Sequence, residues 1–319
     1  MRVNRRLLYW GVFFAAIGGV LVAVDVRAVD TTTVADALRF WPLAVVAIGL
    51  AVVLRRTTFS LPSGMLAAAV PGLVLGGGFA LAPRIAVDCG AGSPPSTVAT
   101  QQGVFTGPAR ISVTTGCGSI VVNTAPGSGW HFQTSDATNG TPIVDATPGS
   151  LSIEAGGPDW HGFDTLHHVW SLTVPTDPID NLSLVVNAGR GTLDLAGAQI
   201  GHLDLRTNAA ETTVDLSSAS VASITGTVNL GLLSVHLPAT SDVTGSMDVN
   251  AGALQVCVPD GLGVRVHHTG TFGGISVNGL QQTDKDWQSP DFATAAHHAD
   301  LNVKVNIGSV EIDPIGGCK

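Results

Sequence analysis

LSLVVNAGRG (Leu182–Gly191), LDLRTNAAET (Leu203–Thr212), ITGTVNLGLL (Ile224–Leu233) and SMDVNAGALQ (Ser246–Gln255) carry an Asn in one frame. The four residues, Asn187, Asn208, Asn229 and Asn250, are 21 positions apart. Gly189, Ala210, Gly231, Gly252 and Gly273 keep the same interval, and so do Leu195, Leu216, Leu237 and Val258. A fixed period of roughly 20 to 50 residues marks a stacked repeat architecture. Within one unit the apolar residues alternate, as in Leu182, Leu184 and Val186 and then Leu193 and Leu195, so one face of each strand turns inward. Each unit therefore reads as strand, corner, strand, corner. Four to six such units stacked in parallel predict a single-stranded parallel β-solenoid with 21-residue repeats, its coils about 4.8 Å apart. The Asn and the small residue two places on are expected in a corner that favours positive φ. In register, the four Asn side chains would form a hydrogen-bonded ladder from coil to coil.

Similar strand cores occur earlier, in ISVTTGCGSIVV (Ile111–Val122), and later, in LNVKVNIGSVEI (Leu301–Ile312). Between Val122 and the repeats, short strands are expected around GWHFQ, TPIVDA, LSIEA and WSLTVP, and GGPDWHGFDTLHH reads as a surface loop. After the repeats, QQTDKDWQSPDFATAAHHAD (Gln281–Asp300) breaks the rhythm. A solenoid end needs covering, so this excursion is expected to be a cap anchored by Trp287 and Phe292.

Composition changes sharply near residue 86. Residues 1–83 carry seven Arg against three Asp, whereas residues 84–319 carry eight basic and 21 acidic side chains, a balance of −13. Such a surface repels the phosphate backbone and anionic lipid headgroups, which excludes nucleic acid as a partner. Three apolar runs lie before the change, Leu7–Val24, Phe40–Leu54 and Leu61–Ala82, none with an internal charge; the second reaches span length when Ala37 and Leu38 join it, giving spans at about 7–24, 37–54 and 61–82. Runs near 20 apolar residues predict three membrane-spanning helices. Arg2, Arg5 and Arg6 precede the first run and Arg55 with Arg56 follows the second; the positive-inside rule then sets the N-terminus in the cytoplasm and the remainder outside. Trp10 and Trp41 fit interfacial anchors, and Gly72 with Gly76 would let helices approach. A competing reading makes residues 1–28 a cleaved signal peptide ending in VRA, although its apolar core would be longer than usual. The expected organisation is thus a transmembrane region at 1–86, a linker at 87–108 and a β-solenoid at 109–319.

All four cysteines, Cys89, Cys117, Cys257 and Cys318, fall in the acidic part. An even number confined to one region predicts disulfides in an oxidising compartment, with three pairings open and free buried thiols as the alternative. A second column at the 21-residue interval, Asp194, Asp215, His236 and Cys257, consists of metal-ligand residue types expected to point outward in a line. The simpler account is that a strand's wet face carries polar residues, and no metal is expected. Neighbouring residues on a strand point to opposite faces, so the pairs His167–His168, His267–His268 and His297–His298 do not form ligand pairs. The chain lacks a G-x-S-x-G elbow, a P-loop, a dinucleotide fingerprint, HExxH and CxxC. We therefore expect no catalytic residues, no cofactor and no enzymatic activity.

RFWPLAVVAIGLAVVLRR (Arg39–Arg56) resembles the transmembrane region of LiaI/LiaF-type bacterial envelope-stress proteins. LSLVVNAGRGTLDL (Leu182–Leu195), VNAGALQVCVP (Val249–Pro259) and WQSPDFATAAHHADLNVKVNIGSVEI (Trp287–Ile312) resemble the adhesin-like, or toastrack, β-repeat domain that follows it in LiaF-like proteins. The resemblance implies a bacterial integral membrane protein that senses or modulates envelope stress. It also implies contact with a membrane sensor kinase or another envelope protein, and self-association is open. A surface scaffold or adhesin-like protein binding wall components is the alternative. The chain departs from the family pattern in placing a cysteine-bearing β-domain outside the cell.

Overall fold

The computed structural model describes residues 9–16, 18–19, 69–70, 73, 98–136, 142–156, 168–270, 274–283 and 286–313. The chain divides into two compact units, Met1–Arg84 and Ile85–Lys319.

In the first unit, helical backbone occupies 9–16, 18–19, 69–70 and 73. The helix at 9–16 rises about 12 Å, whereas a hydrocarbon core is about 30 Å thick. No helix among the described residues is long and apolar enough to cross a membrane. The expectation of three membrane-spanning helices is corrected accordingly. An apolar composition meets the solvent requirement of a span, but crossing also requires one unbroken helix of about 20 residues. The run at 37–54, Trp41, and most of the runs at 7–24 and 61–82 lie outside the described residues. Trp10 lies in the short helix, 60% exposed and stacked on Phe14.

The second unit is built from strands. Its first part contains β1 (Val98–Val104), β2 (Ala109–Ala125), β3 (Gly129–Asp136), β4 (Ile143–Thr147), β5 (Ser150–Glu154) and β6 (His168–Pro175). Three long, bent strands follow, β7 (Ile179–Asp194), β8 (Gln199–Asp215) and β9 (Ser220–His236). Later coils divide in two: β10 (Val243–Val249) with β11 (Ala253–Cys257), and β12 (Leu262–Gly270) with β13 (Gly274–Val277). A small hairpin, β14 (Gln281–Thr283) and β15 (Asp286–Gln288), precedes β16 (His297–Val305) and β17 (Ser309–Ile312). β1 falls within the stretch expected to be linker, and Phe105 just after it is buried in the same core.

β7, β8 and β9 pair in parallel with each residue facing the one 21 positions on, as Leu182 faces Leu203 and Leu203 faces Ile224. This register stacks every inward column, so Leu182, Leu184, Val186, Leu193 and Leu195 are all buried. Where a column changes residue, the interior compensates. Gly226 makes room for the Met247 sulfur, and the buried Thr207 hydroxyl donates to that of Thr212 at 3.0 Å. Each coil turns at a corner where Gly189 and Gly231 take φ of 110° and 120°. The Asn residues at these corners do not share that conformation, since Asp313 is the positive-φ non-glycine residue among those described.

Coil order departs from sequence order at both ends, which corrects the simple parallel solenoid. β2 lies between β7 on one side and β5 with β6 on the other. Likewise β16 and β17, last in the chain, insert between the β10–β11 and β12–β13 coils. The ends of the sheet are antiparallel: β6 carries β3 and then β1, β5 carries β4, and β12 carries β15 and then β14. Every coil presents the same alternating face in the same register, so the 21-residue period alone cannot say which coil neighbours which. Insertion gives Leu301, Val303 and Val305 a neighbouring coil on both sides, and it ties down a strand that would fray at the end of the stack. Within the antiparallel N-terminal end, Phe132 packs edge-on against Trp170 at 5.4 Å between ring centres.

Candidate functional site

The outer surface consists of polar columns, each set by the 21-residue register. The Asn column is a continuous chain of amides. Asn208 Nδ2 donates to Asn187 Oδ1 at 2.6 Å, Asn229 to Asn208 at 2.6 Å, and Asn250 to Asn229 at 2.7 Å. At one end Asn187 Nδ2 donates to the Thr115 carbonyl at 2.8 Å, because Gly116 stands at the next corner and has no side chain to offer. At the other end Asn306 Nδ2 donates to Asn250 Oδ1 at 2.8 Å. Asn306 was missed by the 21-residue arithmetic because it comes from the inserted last coil, 56 positions on. The shared pattern VNAG at Val249–Gly252 and VNIG at Val305–Gly308 could have revealed it.

Asp194, Asp215, His236 and Cys257 do face one another on successive rungs. Their chemistry is spent locally. Asp194 Oδ1 accepts the Ala196 amide at 3.2 Å and Asp215 Oδ1 accepts the Ser217 amide at 2.9 Å, so both carboxylates close the second corner of their coils. Partial burial pushes the Asp215 carboxyl upward, but hydrogen bonds from the Ser217 hydroxyl and amide, with His236 nearby, outweigh it and hold the pKa below the usual carboxylate value. Cys257 is disulfide-bonded and does not serve as a metal ligand. Among the described residues, no group of three or more His, Cys, Asp or Glu converges in a way that could hold a metal ion.

The C-terminal end gathers most of the remaining charge. Arg265 on β12 donates through Nε to Asp300 on β16 at 2.9 Å, pairs with the same carboxylate through a second nitrogen, and lies over the Phe292 ring at 5.2 Å. His267 Nδ1 meets Asp286 at 2.7 Å, joining β12 to the β14–β15 hairpin. Trp287 packs partly buried against the core beside it, and Phe292 meets the His298 ring at 4.9 Å, so the excursion covers this end of the stack. His268 turns the other way from His267; burial, and then repulsion from His267, lower its pKa. His297 and His298 both approach Asp242, at 3.9 and 3.7 Å, and His298 Nε2 donates to the Phe292 carbonyl at 2.8 Å. His167 and the His168 side chain lie outside the described residues. An open groove of about 320 Å³ is lined by the starts of β7, β8 and β9, with Asp180, Gly201, Ala222 and Asp242 among its residues. Asp180 is already paired with Arg110 at 3.7 Å.

Cys117 and Cys257 are both disulfide-bonded. Four rungs separate them, Cys117 facing Ala188, then Ala209, then Leu230 on β9, beside which the coil of Cys257 stacks. At about 4.8 Å per rung they are separated by at least about 19 Å along the stack, far beyond the reach of one S–S bridge. The two are therefore not bridged to one another.

Comparison with known proteins gives one family match and several structural likenesses. Residues 141–238 match the family described as the N-terminal domain of toast_rack, DUF2154. That segment runs from just before β4 to just past β9, and the chain thus contains a toastrack-type β domain. Among solved structures, the fold is similar to a candidate cell adhesion protein from Clostridium sporogenes, at 11% identity over 68% of this chain and 99% of that one, with a TM-score of 0.44. It is also similar to a candidate adhesin from Bacteroides fragilis, at 8% identity over 69% and 98% of the two chains and a TM-score of 0.31. A candidate adhesin from Parabacteroides distasonis aligns at 11% identity over 69% and 98%, with a TM-score of 0.34. No curated protein sequence matches the chain.

Proposed function

We propose that the chain is a non-enzymatic, adhesin-like module of the cell envelope, whose toastrack domain lies outside the cytoplasm and acts through protein–protein contacts. The observation that carries this reading is the disulfide bonding of Cys117 and Cys257, four rungs apart in one domain. Disulfides persist where thiol reductants do not reach, which in a bacterium is outside the cytoplasm. The columns support the same reading from the side of chemistry. Asp194 and Asp215 close corners and the Asn amides bond to one another, so these polar groups hold a stiff, extended surface. A long stack with regularly spaced side chains suits recognition over many weak contacts.

The test is thiol accessibility in intact cells, using a membrane-impermeant maleimide with and without prior reduction. Labelling that appears after reduction supports an extracytoplasmic, oxidised domain. Labelling that requires lysis overturns it. Deletion then separates two roles for such a module. Weakened envelope integrity or surface attachment without a stress response fits the adhesin-like scaffold, whereas altered expression of envelope-stress genes points to regulation of a sensor kinase.

A further inference from the structure

We propose that β1 is a self-pairing edge, onto which β1 of a second copy of this chain adds in antiparallel register centred on Gln101. The inference goes beyond the envelope role and does not depend on it. β1 hydrogen-bonds along one side with β3, and no strand among the described residues pairs with its other side. An edge strand of this kind offers a row of unpaired amides and carbonyls to another extended chain. Ala99, Thr100, Gln101 and Gln102 are exposed, and Val104 is 65% exposed.

Charge and sequence select the occupant. The seven residues VATQQGV carry no charge, in a domain with 21 acidic and eight basic side chains. Exposed edges are normally blunted by Lys, Pro or an inward charge, and β1 has none of these. The other edges are less suitable: β4 has Asp145 at its centre, while β13 and β14 are four and three residues long. β1 also reads nearly the same in both directions. Centred on Gln101, a two-fold pairing sets Val98 opposite Val104, Ala99 opposite Gly103, Thr100 opposite Gln102, and Gln101 opposite itself. Each position thus meets one of its own kind in size or polarity, with no like charges opposed. Seven facing pairs supply about six to eight main-chain hydrogen bonds over a small area, which suits a weak dimer in the micromolar range.

Sedimentation equilibrium of the full-length chain in mild detergent tests this. The wild type should dimerise with concentration, and more strongly as salt screens the mutual repulsion of two acidic domains. Gln101→Glu and Gln101→Lys each place like charges on the two-fold axis at an exposed site, and each alone should weaken dimerisation about tenfold or more. Mixed one to one, the two variants should recover heterodimers within about threefold of the wild-type affinity. A wild-type chain that stays monomeric, dimers untouched by either variant, or a mixture that fails to recover pairing would each overturn the proposal.

Discussion

Gly189 shows how tightly the corners are specified. Its φ is 110°, and a methyl group there would overlap the carbonyl of Gly118 on the neighbouring coil. Gly189→Ala should therefore cost about 2–4 kcal/mol, combining backbone strain with overpacking against a neighbour that cannot yield; urea unfolding would measure it. Asn208 acts differently, as the middle of an amide chain. Asn208→Ala leaves Asn187 without its donor and Asn229 without its acceptor, and at half-exposed bonds worth about 1 kcal/mol each the loss should be about 1–2 kcal/mol. Two titrations carry opposite lessons. The lowered pKa of Asp215 means that its contribution is present above the ordinary value of 3.8 and is lost as pH falls through the lower folded value. Stability measured from pH 5 to 2 should fall more steeply for the wild type than for Asp215→Asn. The pKa of His268 is also lowered, so the unfolded chain binds that proton more readily and stability declines as pH falls below about 6.5. His268→Gln should flatten thermal stability between pH 7 and 5.

Among the elements, the inserted last coil has the largest consequence. In a solenoid stacked in chain order, removing the final coil shortens the stack and exposes the next one. Here β16 and β17 hold β10–β11 on one side and β12–β13 on the other. Truncation after residue 296 should therefore release the whole segment from β12 to β15 as well, seen as proteolytic cleavage throughout 262–296 with the β7–β9 region still protected. The cap is a lesser contributor. It is joined through three residue pairs between β12 and β15, the His267–Asp286 contact, the partly buried Trp287, the Ser289–Val264 hydrogen bonds and the Phe292 ring between Arg265 and His298.

For the whole domain, the disulfides are the strongest constraint. Cys117 and Cys257 are both disulfide-bonded but too far apart to be joined to one another. The Asp313 amide donates to the Val256 carbonyl at 2.7 Å, so the chain passes Cys257 five residues before Cys318. Val98, nine residues after Cys89, lies on the same side of the stack as β2, reached through β3 and β6. Non-reducing peptide mapping should find Cys89 joined to Cys117 and Cys257 joined to Cys318. Finding the crossed pairing would mean that these chain paths do not govern bond formation.

The strand character, the repeat length, the inward columns and the alignment of the four Asn residues were all legible in the chain itself. They depend on local alternation and on a constant interval, and parallel register turns that interval directly into contact. Coil order was not legible there, because interchangeable coils have no local signal for their neighbours, and so Asn306 and the role of β16 emerged once the strands were paired. For the column of Asp194, Asp215 and His236, spacing aligns the residues, but whether a carboxylate faces its column or bonds a corner amide depends on side-chain geometry that alternation does not encode. For the apolar runs before residue 86, hydropathy records which solvent a segment tolerates, whereas a span also needs one unbroken helix of about 20 residues, and no helix among the described residues has that length.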